Sequence, residues 1–266
     1  SGMAAKWSKE NPGKLISINF AGEINYPPAK DLVEGKTIVR WADYNPSAIK
    51  KFRMFLAQKY NGDFKKFIAE NKIQENVFKG FEEIDPPRGK VRGVWDGLEK
   101  TNPFFLDWAE FRIEEAKNFI KENVKWGKSA GISENSVTKI YSHQAIFESE
   151  INYYWRGSTL ETIKLEGINP GVSMYGPKTA DENFIKAVGE IAKTYPGSWA
   201  IHEYSPGGPC KPAGCSEEGY SVDEYLKRLN MLEENGVRLV SVEANAKNFL
   251  RTNFYEAVKK FLAEED

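Results

Sequence analysis

The sequence predicts an α/β fold of the (β/α)8 barrel type, present in part, on three observations. Short apolar runs alternate with amphipathic stretches along most of the chain, the pattern of parallel strands joined by covering helices. Several runs stop abruptly at polar or acidic residues: Ser142-His143-Gln144 after 138–141, Glu203 after 199–202 and Glu243 after 237–242. The stretch Lys14 to Pro28, KLISINFAGEINYPP, reads as a buried strand (Leu15, Ile16, Ile18, Phe20) whose end carries the lone carboxylate Glu23. In barrel folds such strand ends form the lip where chemistry takes place. A loop-anchoring ion pair is the plainer role for Glu23.

In order along the chain, Ala4–Glu10 is helix-like and is broken by Asn11-Pro12-Gly13 before the first strand. Tyr26-Pro27-Pro28 prevents an immediate helix, and a polar loop through Arg40, Trp41 and Asp43 follows. From Pro46, Ile49, Phe52, Phe55 and Leu56 share one helical face, and DFKKFIAENKI forms a second helix. Residues 74–103 read as irregular, and Phe105–Trp126 as a long amphipathic helix. Then strands at 138–141, 171–175, 199–202 and 237–242 alternate with helical stretches at 158–167, 180–194, 222–235 and 253–264. With the first strand these make five βα units, taken as strands four to eight of a barrel. The whole chain, 1–266, is expected to be a single catalytic domain with a helical and loop insertion at about 29–104.

Composition narrows the function. With 41% hydrophobic residues the chain can bury a large core, and a net charge of −1 without charge blocks offers nothing to nucleic acid or an anionic membrane. No run reaches the roughly 20 apolar residues of a membrane helix. Cys210 and Cys215 in SPGGPCKPAGCSEEG are spaced for a small loop-closing disulfide, which would place the chain in an oxidising, extracellular setting, or they remain thiols. No histidine stands beside them, so no metal site is expected there, and no cofactor is expected. A nucleotide-binding open sheet is disfavoured because no glycine-rich phosphate loop follows a strand.

Glu23 and Glu203 fall on strands four and seven when the last strand is counted as the eighth. Hydrolysis of a glycoside uses such a pair: one acid protonates the leaving oxygen, and one carboxylate attacks the sugar or activates water. Trp41, Trp95 and Trp155 lie near strand ends, where an indole face can stack on a sugar ring; core packing is the alternative. Trp7, Trp108 and Trp126 fall on helices and are expected to pack inward. By strand alternation His202 should face away from Glu203.

From Asn45 to Pro206 the chain resembles the β-galactosidases of glycoside hydrolase family 42, through FRMFLAQKYNGDFKKF, FEEIDPPRG, FLDWAEFR and HEYSP in that order. The resemblance implies a retaining mechanism on terminal β-glycosides, galactosides first, with Glu203 as nucleophile and Glu23 as acid/base. It also implies that Tyr141, Ser142, His143 and Gln144 line the sugar site, to which Tyr175 at the end of 171–175 is added as a contact. Glu243 is expected to touch substrate or to serve structure. Two departures stand out. The family has Asn before the acid/base where this chain has Gly22, and AGEINYP is similar to a segment of the inverting β-amylases. Strands one to three of the resembled barrel are absent. The chain is therefore expected to be a truncated glycosidase, one completed by a second copy or partner chain, or a catalytically inactive carbohydrate-binding scaffold.

Overall fold

The computed structural model describes residues 2–20, 22, 29–33, 36–40, 44–87, 90–91, 101–134, 138–144, 146, 159–175, 182–194, 198–205, 210–211, 214–215, 220–242, 250 and 252–264. In chain order the elements are α1 (Gly2–Glu10), β1 (Ser17–Asn19), β2 (Ala29–Val33), β3 (Lys36–Arg40), α2 (Pro46–Lys59), α3 (Phe64–Glu70) and β4 (Lys90–Val91). The long helix α4 (Pro103–Ser129) follows, then β5 (Lys139–Tyr141), β6 (Gly171–Tyr175), α5 (Glu182–Thr194) and β7 (Trp199–Ser205). The short pair β8 (Cys210–Lys211) and β9 (Gly214–Cys215), α6 (Val222–Glu234), β10 (Val237–Val242) and α7 (Asn253–Glu264) complete the chain. Among the described residues two 3₁₀ turns, Phe81–Glu83 and Leu160–Ile163, lie between them. The second replaces the helix expected over 158–167.

The chain divides into two compact units. One comprises Ser1–Ile24, Lys117–Glu148 and Leu160–Asp266; the other comprises Asn25–Ala116 and Ser149–Thr159. The expected insertion at 29–104 falls within the second.

In the first unit all five expected strands form and run parallel. β1 pairs with β5, and β6 pairs with β7, which pairs with β10. Bridges Tyr141↔Asn169 and Gln144↔Val172 link the two groups, and Gln144 N–H to Gly171 O (3.0 Å) and Ser173 N–H to Gln144 O (3.1 Å) carry the ladder across. One side of this array is apolar. Val172, Met174, Trp199, Ile201, Tyr204 and Val237 pack with Phe184, Ile185 and Val188 of α5, Tyr225, Leu229 and Leu232 of α6, and Phe254 and Ala257 of α7. Trp199 is fully buried, and its indole N–H donates to Asn235 O at 2.7 Å. α6 starts cleanly because Ser221 and Glu224 cap it reciprocally. Under β1 and β5, Ile18, Phe20 and Ile140 pack with Ile120 and Val124 of α4 and with Leu165 and Ile168.

The second unit is an aromatic core. Phe52 meets Trp108 edge-on at 4.8 Å, Tyr44 stacks on Trp108 at 5.5 Å, and the Arg112 guanidinium lies 5.7 Å over the same ring. A buried polar knot joins α2, α4 and the end of α3. Asp107 accepts from Lys59 Nζ (2.7 Å), from the Tyr60 hydroxyl (2.8 Å) and from Asn71 Nδ2 (3.1 Å). Burial first, then the bond to Asp107, pushes the Tyr60 phenol up to about 12. For Lys59, burial acts downward, but its bonds to Asp107 and Glu110 prevail and raise the amine.

The polar loop expected after Pro28 contains the antiparallel β2–β3 hairpin, to which β4 adds. Neither flanking run, AKDLV or KTIVR, alternates apolar with polar, so the sequence carries no strand signal there. Of the helical tryptophans only Trp108 is buried; Trp7 and Trp126 are 45% and 60% exposed.

A Cβ on Gly127 of α4 would lie 2.1 Å from the tip of the Phe20 ring. Gly→Ala inside a helix normally stabilises by roughly 0.5–1 kcal/mol. At Gly127 the contact reverses that sign, and Gly127→Ala is expected to lower stability in urea unfolding by about 1–3 kcal/mol. In a Phe20→Ala background the same change becomes neutral or stabilising.

Candidate functional site

The face of the parallel array opposite the apolar core is polar. Tyr141 Oη and Ser198 Oγ lie 3.4 Å apart, Ser198 reaches Asn169 Oδ1 at 3.4 Å, and His143 Nε2 bonds Ser173 Oγ at 2.7 Å. These side chains are buried or nearly so, and Asn169 and Ser173 are wholly buried. Burial above all raises the Tyr141 phenol above its usual range.

β7 shapes this face through a bulge. Val172 pairs with Ile201, but the next residue, Ser173, pairs with Glu203, so His202 is an extra residue. Ile201 and Tyr204 both remain in the helix-facing core. The two residues between them are released from strict alternation. The His202 ring, next to the inward Ile201, lies 5.0 Å from His143 and 5.6 Å from Tyr141, on the polar side. Glu203, half-buried, follows it opposite Ser173. The expectation that His202 faces away from Glu203 rests on strict alternation, which the bulge interrupts between these two residues.

Gly171 makes the arrangement sterically possible. A Cβ there would stand 1.9 Å from the Ser142 carbonyl oxygen and 2.8 Å from His202 Cδ2. Its N–H takes Ser142 Oγ as acceptor at 3.1 Å. Among the described residues His202 Nε2 is buried without a hydrogen-bond partner, and burial, then repulsion from His143, lowers its pKa to about 4. The imidazole is therefore neutral at neutral pH.

Of the sequence-predicted residues, Tyr141, His143 and Glu203 come together on one array. Gln144 is wholly buried; its Nε2 donates to the His143 carbonyl at 2.7 Å and its Oε1 has no partner among the described residues. Tyr175 ends β6. Glu23, Trp41, Trp95, Trp155 and Glu243 lie outside the described residues. Asn169, Ser173 and Ser198 escaped the sequence reading. Their signal is small polar residues interrupting apolar strands, as in GVSMY. The bulge also leaves a trace, since Trp199, Ile201 and Tyr204 are spaced by two and then three.

Among the described residues no cluster of His, Cys, Asp and Glu is arranged to hold a metal ion. No helix among them is long and apolar enough to cross a membrane. No protein-family model matches the chain, and no curated protein matches it. The residues of FRMFLAQKY and FLDWAEFR supply much of the buried framework of the second unit: Phe52, Leu56, Tyr60, Asp107, Trp108, Phe111 and Arg112 are all buried.

The depressed His202 pKa sets a pH dependence. Unfolded, the imidazole takes up a proton near 6.5; folded, it does so only at about 4. Between those values the unfolded state binds more protons, so stability present above pH 6.5 is lost as pH falls towards 4, by up to about 3 kcal/mol. His202→Gln is expected to flatten that part of the stability–pH curve, measured by thermal unfolding from pH 4 to 8.

Proposed function

We propose that this chain is a glycoside hydrolase acting on terminal β-glycosides, with its parallel array as part of a (β/α)8 barrel. The observation that supports this most is the β7 bulge. It pairs Glu203 with Ser173, whose hydroxyl bonds His143 on the polar face, towards the strand's C-terminal end. In this reading Glu203 attacks the anomeric carbon. Glu23, which follows β1 in the sequence, protonates the leaving oxygen and then takes a proton from water. Neutral His202 adds no charge beside the nucleophile between about pH 5 and 8.

The assay is hydrolysis of aryl β-glycosides, galactoside first, by wild type, Glu203→Gln and Glu23→Gln. Either substitution is expected to lower kcat at least about a hundredfold. Full activity in Glu203→Gln would remove the nucleophile.

A second reading, a non-catalytic carbohydrate-binding scaffold, is favoured by one observation. Tyr141, His143 and Gln144 are packed among their neighbours, at 3%, 7% and 0% exposure. Inactivity of wild type and both variants on every aryl glycoside, with retained oligosaccharide binding, would support it.

The reading as part of a barrel draws on both edges of the array. Among the described residues β1 pairs only with β5, and β10 only with β7. Ile16, before β1, is 55% exposed; beside β10 an apolar groove of about 420 Å³ runs between α6 and α7, lined by Leu232, Val240, Phe254 and Phe261. Open parallel edges promote association. Light scattering is expected to give a mass above the 30.2 kDa of one chain, and a strict monomer would count against completion by a second copy.

A further inference from the structure

The second unit carries a groove unrelated to the carboxylates. It has a volume of about 930 Å³ and is lined by α3 and the segment after it. Phe64 and Ile68, one turn apart on α3, form one apolar wall, and Ile73 and Phe78 face it from the following segment. Around them stand Lys65, Lys72 and Lys79, against a single acid, Glu75. Other lysines nearby are engaged: Lys66 faces Glu70 at 3.8 Å, and Lys59 is held by Asp107 and Glu110. No ion pair or side-chain hydrogen bond engages the three rim amines among the described residues. Glu83, close in sequence, is taken up by the Lys79 backbone N–H at 3.0 Å.

Lys72 is placed at a conformational disadvantage. α3 ends in a six-to-one turn: Ile73 N–H donates to Ile68 O (3.1 Å) and Lys72 N–H to Ala69 O (3.2 Å). That turn requires a left-handed residue between them, and Lys72 has φ +53°. α2 ends in the same way at Asn61, also φ +53°, with Asn61 N–H to Gln58 O (3.1 Å) and Gly62 N–H to Ala57 O (2.8 Å). Asn tolerates this conformation and Gly favours it, whereas a long side chain is strained in it. Asn71, bonded to Tyr60, Asp107 and the Phe67 carbonyl, fixes the turn so that Lys72 cannot relax out of it.

We propose that this groove docks an acidic amphipathic helix of a partner protein. Its apolar side would lie along Phe64, Ile68, Ile73 and Phe78, with flanking carboxylates meeting Lys65, Lys72 and Lys79. The lysine excess supplies the charge complementarity, and the helical wall matches helix-in-groove recognition.

The test uses the full chain and a fluorescein-labelled synthetic helical peptide of about 18 residues, leucine on one face and glutamate on the flanks. A counterpart carries lysine for glutamate, and phosphatidylglycerol vesicles serve as the alternative anionic surface. The glutamate peptide is expected to bind, and the double variant Lys65→Glu/Lys79→Glu to weaken it about tenfold while gaining the lysine peptide. Lys72→Gly separates fold from function: its thermal midpoint rises as strain is relieved, while affinity for the glutamate peptide falls. Equal binding of both peptides, an affinity untouched by charge reversal, or binding to vesicles without peptide preference would each overturn the proposal.

Discussion

One register shift organises the candidate site. Where β7 passes β6 it accommodates an extra residue, and two consecutive polar side chains, His202 and Glu203, leave the alternation that buries Ile201 and Tyr204. Without it, one of the two would be driven into an apolar core, at a desolvation cost of several kcal/mol for a carboxylate. The bulge in turn depends on Gly171, since any side chain there would meet the Ser142 carbonyl and the His202 ring. A glycine on one strand and an insertion on the next thus act as a single device that brings polar chemistry to one face.

The same trade between backbone geometry and side-chain placement recurs in the second unit. Asp107 is only 3% exposed, yet it is fully engaged by Lys59, Tyr60 and Asn71. A buried carboxylate with such partners holds helix ends in fixed relation, and removing one partner strands the others. The knot secures the turn at Lys72 as well as the aromatic core above it. Segments whose wording suggested a glycosidase, such as FLDWAEFR, therefore work in this chain as framework. The glycosidase reading is carried by HEYSP and the strand ends.

How much was legible in advance differs by element. The parallel strands at 138–141, 171–175, 199–202 and 237–242 were readable because continuous β-branched and aromatic runs between helices have few other folded solutions. α2, α6 and α7 were readable from apolar periodicity, and the structure adds caps to α2 and α6 at Asn45 and Ser221. The β2–β3 hairpin was not, because neither AKDLV nor KTIVR alternates apolar with polar residues. Trp126 was misjudged because helical periodicity tells which residues share a face, not whether another element covers that face.

The residue pattern by itself determined the five parallel strands, the helices α2, α6 and α7, and the carboxylate that closes the HE pair in WAIHEYS, since these follow from local periodicity and chemistry. Only the tertiary structure decided that His202 lies beside His143 on the polar face, that Gly171 permits it, and that Lys72 is held in a left-handed turn. Those outcomes depend on inter-strand register and on close contacts between segments distant in sequence, which no local pattern encodes.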